Sequence, residues 1–355
     1  MEAQIAAALE VSDYKQAARL LKQWQVNEPQ NPMLRLYAAQ LQEQTHRLEA
    51  AGKNYLKLLK QTPNSKIMAQ ARAGIQRVQN KQEEQQAQAL NRARQAGGDE
   101  VAVLAIAAPS ESNRQQAIAG VAKTFNLDAY TARMKVPPSG FRLHRIGSWG
   151  EISYIAQALK QVQAPTLSAK VRDIQALQTF QVCYFETLSP EPAVICKNAK
   201  GQLGKISFDW SEVSSQVSGQ LPIFEQVVDI GNWGKTIHKE QVQDYAQAVD
   251  LHLKEREIVL RLCDRLYQYQ KGISLSQQNE LNSRIQWNQL LKILTQSISG
   301  PHRNDFTRFG KGALEFIPLL PSVPANLDID RRAPSHWDQA FHLYSSLCFL
   351  SIRTR

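Results

Sequence analysis

The chain has 355 residues, 43% of them apolar, and carries 42 Lys and Arg against 32 Asp and Glu, a net charge of +10. With a mean hydropathy of −0.40 the composition is ordinary for a globular protein of two or three domains with sizeable cores. No apolar run reaches the ~18 residues that a membrane-crossing helix needs, and the opening MEAQIAAALE lacks the basic-then-apolar layout of a secretory signal. A cytoplasmic protein is expected, with peripheral attachment to an anionic membrane left open. The positive charges are scattered, so a solvated basic surface is the simplest reading and nucleic acid the alternative partner. Cys183, Cys196, Cys263 and Cys348 form no CxxC, and at least three of them lie in apolar strings. That pattern suits reduced core residues better than a disulfide or a metal site.

The first elements are helical and repeated. SDYKQAARLLKQWQVNEPQNP, from Ser12 to Pro32, is echoed from His46 by HRLEAAGKNYLKLLKQTPNSK. Tyr14 recurs as Leu48, Ala17 as Ala51, Leu21 as Tyr55 and Pro29 as Pro63, always at one step (48 − 14 = 34). Small Ala17 and Ala51 permit close helix crossing, with Leu21 and Tyr55 one turn further along the same face. Pro29 and Pro63 stand where a helix must stop. The pattern resembles the tetratricopeptide repeat over about residues 1–66, although the aromatic residue expected early in each first helix is absent.

The resemblance implies paired helices with a concave groove that holds a partner segment. Some members clamp a C-terminal carboxylate with cations from their first helices. The matching positions here include Glu2, Ala6, Leu36 and Gln40, none of them a cation, so that clamp is not expected. A groove edged by Met33, Leu36, Tyr37 and Gln40 suits an apolar or amphipathic segment of a protein partner; packing between units is the alternative for the same residues. A third helix from Ser65 should cap the array, making residues 1–80 one domain. Residues 81–99, Gln-rich and polar, read as a helical spacer or frayed linker that ends at Gly97-Gly98.

Residues 100–173 read as an α/β domain. VAVLAIA, from Val101, is a buried strand feeding a helix capped by Ser110 or Ser112; FRLHRIG and SWGEISYIAQALKQV repeat the theme. With DAYTARMKV as a strand between them, the topology would be ferredoxin-like. Arg142, His144 and Arg145 make a basic cluster suited to an anion or phosphate, or simply to a solvated strand face.

Residues 174–355 read as a β-rich domain with helical appendages. FQVCYFETL, AVICKN, KISFDW, AVDLHL and the alternating REIVLRLC suggest an antiparallel sheet or small barrel. Leu281, Ile285, Leu290, Leu291 and Leu294 fall near helical spacing. Ser335 then caps a last helix, with Asp338 in the capping-box position and Phe341, Tyr344, Leu347 and Cys348 on one face. In the loop before it, Arg303, Arg308 and Lys311 interleave with Phe306 and Phe309, a composition that can hold nucleic acid. The whole chain is thus expected to be multidomain α+β.

Enzymatic motifs are missing. There is no phosphate-binding glycine loop, no HExxH and no GxSxG, the seven histidines are dispersed, and no cofactor or metal is expected. Asp328 and Asp330 read as loop carboxylates with local ion pairs to Arg331-Arg332. The expectation is a non-enzymatic scaffold, adaptor or assembly factor that recruits a protein through its repeats, in a style that resembles bacterial assembly factors. The alternative is a nucleic-acid-associated regulatory protein.

Overall fold

A computed structural model describes residues 1–230, 236–275, 282–331 and 335–353, in two compact units, Met1–Arg92 and Ala93–Arg355. No helix among the described residues is long and apolar enough to cross a membrane.

The smaller unit is helical: α1 (Glu2–Glu10), α2 (Tyr14–Asn27), α3 (Pro32–Gln44), α4 (Leu48–Gln61) and the start of α5 (Ser65–Gly97). The repeat is visible in the backbone. The α1–α2 and α3–α4 turns each place one residue in the left-handed region, Ser12 at φ +60° and His46 at φ +59°, a repeat apart. Asp13 caps α2 by accepting from Gln16 N (3.0 Å), and Asn31 caps α3 by accepting from Met33 N (2.9 Å). Ala17 and Ala51 are both fully buried, as their small size at the crossings requires. The polar stretch after Asn80 continues α5 as one helix to Gly97, since its Gln, Glu, Ala and Arg residues are good helix formers.

In the larger unit, β1 (Val101–Ala107) is the middle of a three-stranded antiparallel sheet, between β2 (Phe141–Ser148) and β3 (Thr166–Lys170). Helices α6 (Arg114–Phe125), α7 (Ala129–Lys135) and α8 (Trp149–Gln161) belong to it. The Ser110 and Ser112 hydroxyls bond each other (3.1 Å) instead of capping α6. DAYTARMKV, expected as a strand, is α7, because Asp128 accepts from Tyr130 N and Thr131 N (2.9 and 3.0 Å) and so starts a helix. The short α9 (Val171–Ala176) leads into the second sheet.

That sheet has seven strands: β4 (Gln178–Thr187), β5 (Ala193–Lys197), β6 (Leu203–Ser207), β7 (Val213–Ile230), β8 (Thr236–Leu253), β9 (Ile258–Cys263) and β10 (His302–Arg303), in the order β10-β7-β8-β9-β4-β5-β6. It is open, not a barrel, and mixed, because β4 runs parallel to β9 and β10 parallel to β7. β7 was not legible among the expected strands: Gly219 and Pro222 interrupt it. Pro222 is tolerated because past Val217 β7 has β8 on one side and, among the described residues, no strand on the other. Helices α10 (Ser283–Ser297), α11 (Phe306–Ala313) and α12 (His336–Arg353) complete the unit. Leu281 lies outside the described residues, and Ile285 is exposed.

One core joins what the sequence divides at residue 173. Val103, Phe141 and Ala169 from the first sheet pack with Val217, Ala246, Phe306 and Phe341 from the second half. Helix α12 is buried at every position from Ala340 to Phe349, so it is an interior helix and not an appendage. The other face of the large sheet packs Val249, Leu251, Leu260 and Leu262 against Trp287, Leu290 and Leu294 of α10. All four cysteines are buried and unpaired.

A polar seam crosses the α12 side of this sheet. Asp250 on β8 stands directly opposite Arg261 on β9, and Arg261 grips it with Nε–Oδ1 2.8 Å and Nη2–Oδ2 2.6 Å while both are fully buried. Its remaining amino group donates to the carbonyl of Ala325, and the guanidinium lies 5.1 Å over the Phe341 ring. His252, two residues along β8, bonds Ser215 Oγ through Nδ1 and Ser345 Oγ through Nε2, both at 2.9 Å. Arg331 pairs with Asp338 (2.9 Å) and not with its neighbours Asp328 and Asp330, and Ser335 Oγ accepts from Trp337 N (3.3 Å) at the start of α12.

Burial pushes His252 down to about 4 and His342 to about 3. The unfolded chain takes up protons near pH 6.5, whereas these folded histidines stay neutral until well below it. Stability therefore falls as pH drops from about 6.5 towards 4, on the order of 1.4 kcal/mol per pH unit per histidine. Burial raises the Asp264 and Asp338 carboxyls and opposes part of this loss. The melting temperature of the larger unit is expected to decline steadily across that window; a flat profile would contradict neutral, buried histidines.

Candidate functional site

The expected groove residues divide between surface and interior. Leu36 is 1% exposed and packs with Ala39, Leu48, Ala51, Tyr55 and Leu58, so it is a core residue. Met33, Tyr37 and Gln40 are half-buried on α3. Met33 touches the cores on both sides of α3. The Tyr37 ring lies 6.4 Å from that of Trp24, and burial followed by the nearby Glu2 carboxylate raises its phenol. With Leu36 turned inward, the exposed edge is Met33, Tyr37 and Gln40.

Beneath this face a charge node fixes α3 against α4 and α5. Glu43 is buried and accepts from Tyr55 Oη (2.9 Å), from Arg77 Nε and Nη2 (both 3.0 Å) and from Lys81 Nζ (3.0 Å). Burial pushes its carboxyl up, but the bonds from Arg77, Lys81 and Tyr55 outweigh that and hold it below the ordinary carboxylate value. The sequence signal for this node is a lone Glu among buried positions of α3, one repeat before Arg77.

The basic candidates are only partly brought together. Helix α11 packs on β2, so that Arg142 lies beside Gly312, its Nη1 donating to Met134 O (3.0 Å). Arg308 donates to Ser139 Oγ (2.7 Å) at the same junction, and Lys311 is exposed one turn on. Asp305 intrudes: its carboxylate lies against Gly140, whose φ of +63° and lack of a Cβ make room for it. Arg145 is turned to Glu151, which it shares with Arg94. Arg303 is half-buried in β10. His144 lies against Phe125, ring centroids 4.3 Å apart and tilted by 55°, and burial, helped by Lys135, Arg145 and Arg142, lowers it to about 4.

Among the described residues, no group of three or more His, Cys, Asp or Glu could hold a metal ion. Compared with protein-family models, curated proteins and solved structures, the chain gave no match to any of them.

Proposed function

We propose that the protein is a non-enzymatic scaffold or assembly factor that recruits a partner protein through its N-terminal helices. On this reading α1–α4 are two tetratricopeptide-like units capped by α5. The observation that supports it most is the duplicated geometry, with equal turns at Ser12 and His46, that leaves Met33, Tyr37 and Gln40 on one half-open face. Such a face suits an amphipathic helical segment, whose apolar residues would meet Met33 and Tyr37 while Gln40 takes a polar edge. The central unit supplies two strand–helix halves of a ferredoxin-like pattern, with α7 where that pattern has a strand.

Selection of a random peptide library on the intact protein should enrich amphipathic sequences. Their affinity is expected to fall at least tenfold, roughly the loss of one anchor, in Tyr37→Asp with helicity unchanged. Leu36→Asp would instead report on folding. Equal affinity in Tyr37→Asp removes the α3 face from the proposal. A second reading, nucleic-acid association, is favoured by Arg142, Arg308 and Lys311 at the β2–α11 junction. It requires binding that weakens steeply between low and moderate salt.

A further inference from the structure

On the α10 side of the large sheet, a cavity of about 410 Å³ opens over β7 and β8, flanked by Leu291 and Thr295 of α10 and by the β10–α11 connection. Its size is that of a small-molecule site. Strand alternation turns Val217 and Leu221 of β7 into the core with α12, and so turns Gln216, Ser218 and Gln220 the other way, into the cavity wall. The residues opposite them on β8 are Leu251, Val249 and Gln247, the first two packed in the core with α10. Gln216 is thus an amide where its cross-strand neighbour is apolar, and it is only 3% exposed. Among the described residues its side chain makes no hydrogen bond, yet its polar atoms are not sealed in: they keep their accessible surface at the cavity. A buried polar group without a partner calls for an explanation, and here the open side is the cavity.

The wall narrows what fills it. No Asp, Glu, Lys or Arg lines the cavity. His302 does, but burial lowers it below the ordinary histidine value, and its Nε2 is bonded to Ser218 Oγ (2.9 Å). Arg303 and Asp305, on either side of Asn304, serve the α12 side, where Asp305 accepts from Tyr344 Oη and Arg303 lies near Tyr344 and Cys348. A charged ligand would therefore lose its hydration without meeting a counter-charge. Gln220 and Gln247 mark the end of the uncharged stretch: they also line a second cavity, which holds Asp264, Arg284 and the Asp244–Arg265 pair. The polar groups of the first cavity ask for both donors and acceptors. Gln247 Oε1 accepts from Trp287 Nε1 (2.8 Å), leaving its amino group to donate. Thr295 Oγ1 donates to Leu291 O (2.9 Å), leaving its lone pairs to accept. The Gln216 amide can do either. Gln216 and Gln220 are about 13 Å apart along β7, and Gln247 stands opposite Gln220, so one amide or one small ring does not reach all of them. No aromatic side chain lines the cavity, so a flat base has no platform to stack on.

We propose that this cavity binds a short neutral saccharide, about two rings long, laid along β7 with its hydroxyls on the Gln216 amide, Gln247 Nε2 and Thr295 Oγ1. Hydroxyls suit these partners because each gives and accepts at a single oxygen. The C–H faces of the rings meet Val249 and Leu291. The site does not rest on the α3 face, and it gives the larger unit a carbohydrate-binding role of its own.

The test titrates the full 15N-labelled chain separately with maltose, cellobiose and trehalose, and with glucose, gluconate and uracil for comparison. At least one disaccharide should shift the side-chain amide resonances of both Gln216 and Gln247. Glucose is expected to bind at least tenfold more weakly, because one ring cannot reach from Gln216 to Gln247, and gluconate likewise, because its charge finds no partner. Gln216→Leu keeps most of the side-chain length and removes the amide. It is expected to leave the unfolding midpoint unchanged or higher, because no internal bond is lost, and to weaken the disaccharide about tenfold, the worth of one hydrogen bond to a buried group. The proposal is overturned if none of the three disaccharides binds, or if binding leaves either amide unmoved. It also fails if Gln216→Leu lowers the unfolding midpoint or leaves the affinity as it was. Tighter binding of uracil or gluconate than of any disaccharide would put a heterocycle or an anion in its place. Gln216 amide resonances already hydrogen-bonded in the free protein, and unaltered by every probe, would mean an ordered water only and overturn it too.

Discussion

Arg261→Met should destabilise the larger unit by about 3–5 kcal/mol, the usual cost of removing one partner from a buried ion pair. Methionine fills much of the arginine volume and keeps contact with Phe341, so packing loss is the smaller part. The larger part is Asp250, fully buried and opposite the substituted position. The arginine is the main source of the charge that holds that carboxyl below its usual value against the burial that raises it. Without it, Asp250 must either take up a proton or draw water into the seam. The carbonyl of Ala325 also loses its donor. The double variant Asp250→Leu/Arg261→Met removes the charge with its partner and should recover most of the loss, because an apolar pair of similar volume leaves no unpaired buried charge, only the Ala325 carbonyl without its donor. Denaturant midpoints of parent, single and double variants in the intact chain decide it. A double variant no more stable than Arg261→Met would show that the pair's value lies in its shape or in the bond to Ala325, not in charge compensation.

This pair also shows what the sequence does and does not reveal. A lone Asp in AVDLHL and a lone Arg in IVLRLC are each legible as a polar residue inside a buried strand, a pattern that needs a partner. Their pairing depends on the β8–β9 register, which is fixed by the short turn at Lys254–Glu257, and neither string shows that register by itself. The helical repeat was readable because its period is local: small residues at the crossings, prolines at Pro29 and Pro63 where helices stop, and a recurring step of one unit. α7 was misread because TARMK alternates as well as it spirals; the cap at Asp128 was the better signal. β7 was missed because its polar Ser and Gln residues and Pro222 do not look like a strand, although β8 provides it with a full-length neighbour. For the candidate face, Met33, Leu36, Tyr37 and Gln40 were named from the resemblance to a repeat groove, with packing between units as the alternative. Leu36 is buried; such a resemblance identifies a helix face without saying which of its residues turn inward. The Gln216 amide could not be found in this way: an unpartnered group is a property of three-dimensional neighbours.

Gly74→Val is the second large effect, and it falls on the smaller unit. A Cβ at position 74 would come within 2.6 Å of Tyr55 Cε1, which no side chain tolerates without movement. The ring has nowhere to go: Tyr55 is fully buried, and its hydroxyl is bonded to Glu43, which Arg77 and Lys81 hold in turn. Moving the ring therefore strains the core and loosens the node that joins α3, α4 and α5. Overpacking of this kind costs about 1–3 kcal/mol, and the broken phenol–carboxylate bond adds roughly 1 kcal/mol. Gly74→Ala should be destabilising too, even though alanine favours a helix over glycine by about 1 kcal/mol. Gly52 is the internal control. A Cβ there meets Val78 Cγ1 at 3.7 Å, an ordinary contact, so Gly52→Ala should stabilise by up to about 1 kcal/mol. Hydrogen exchange of the α3, α4 and α5 amides in the intact chain reads both changes in the same unit. Protection should fall in Gly74→Val and Gly74→Ala and rise in Gly52→Ala. If Gly74→Ala protects those amides as well as Gly52→Ala does, Tyr55 is not locked against α5, and the node beneath the α3 face is softer than its bonds imply.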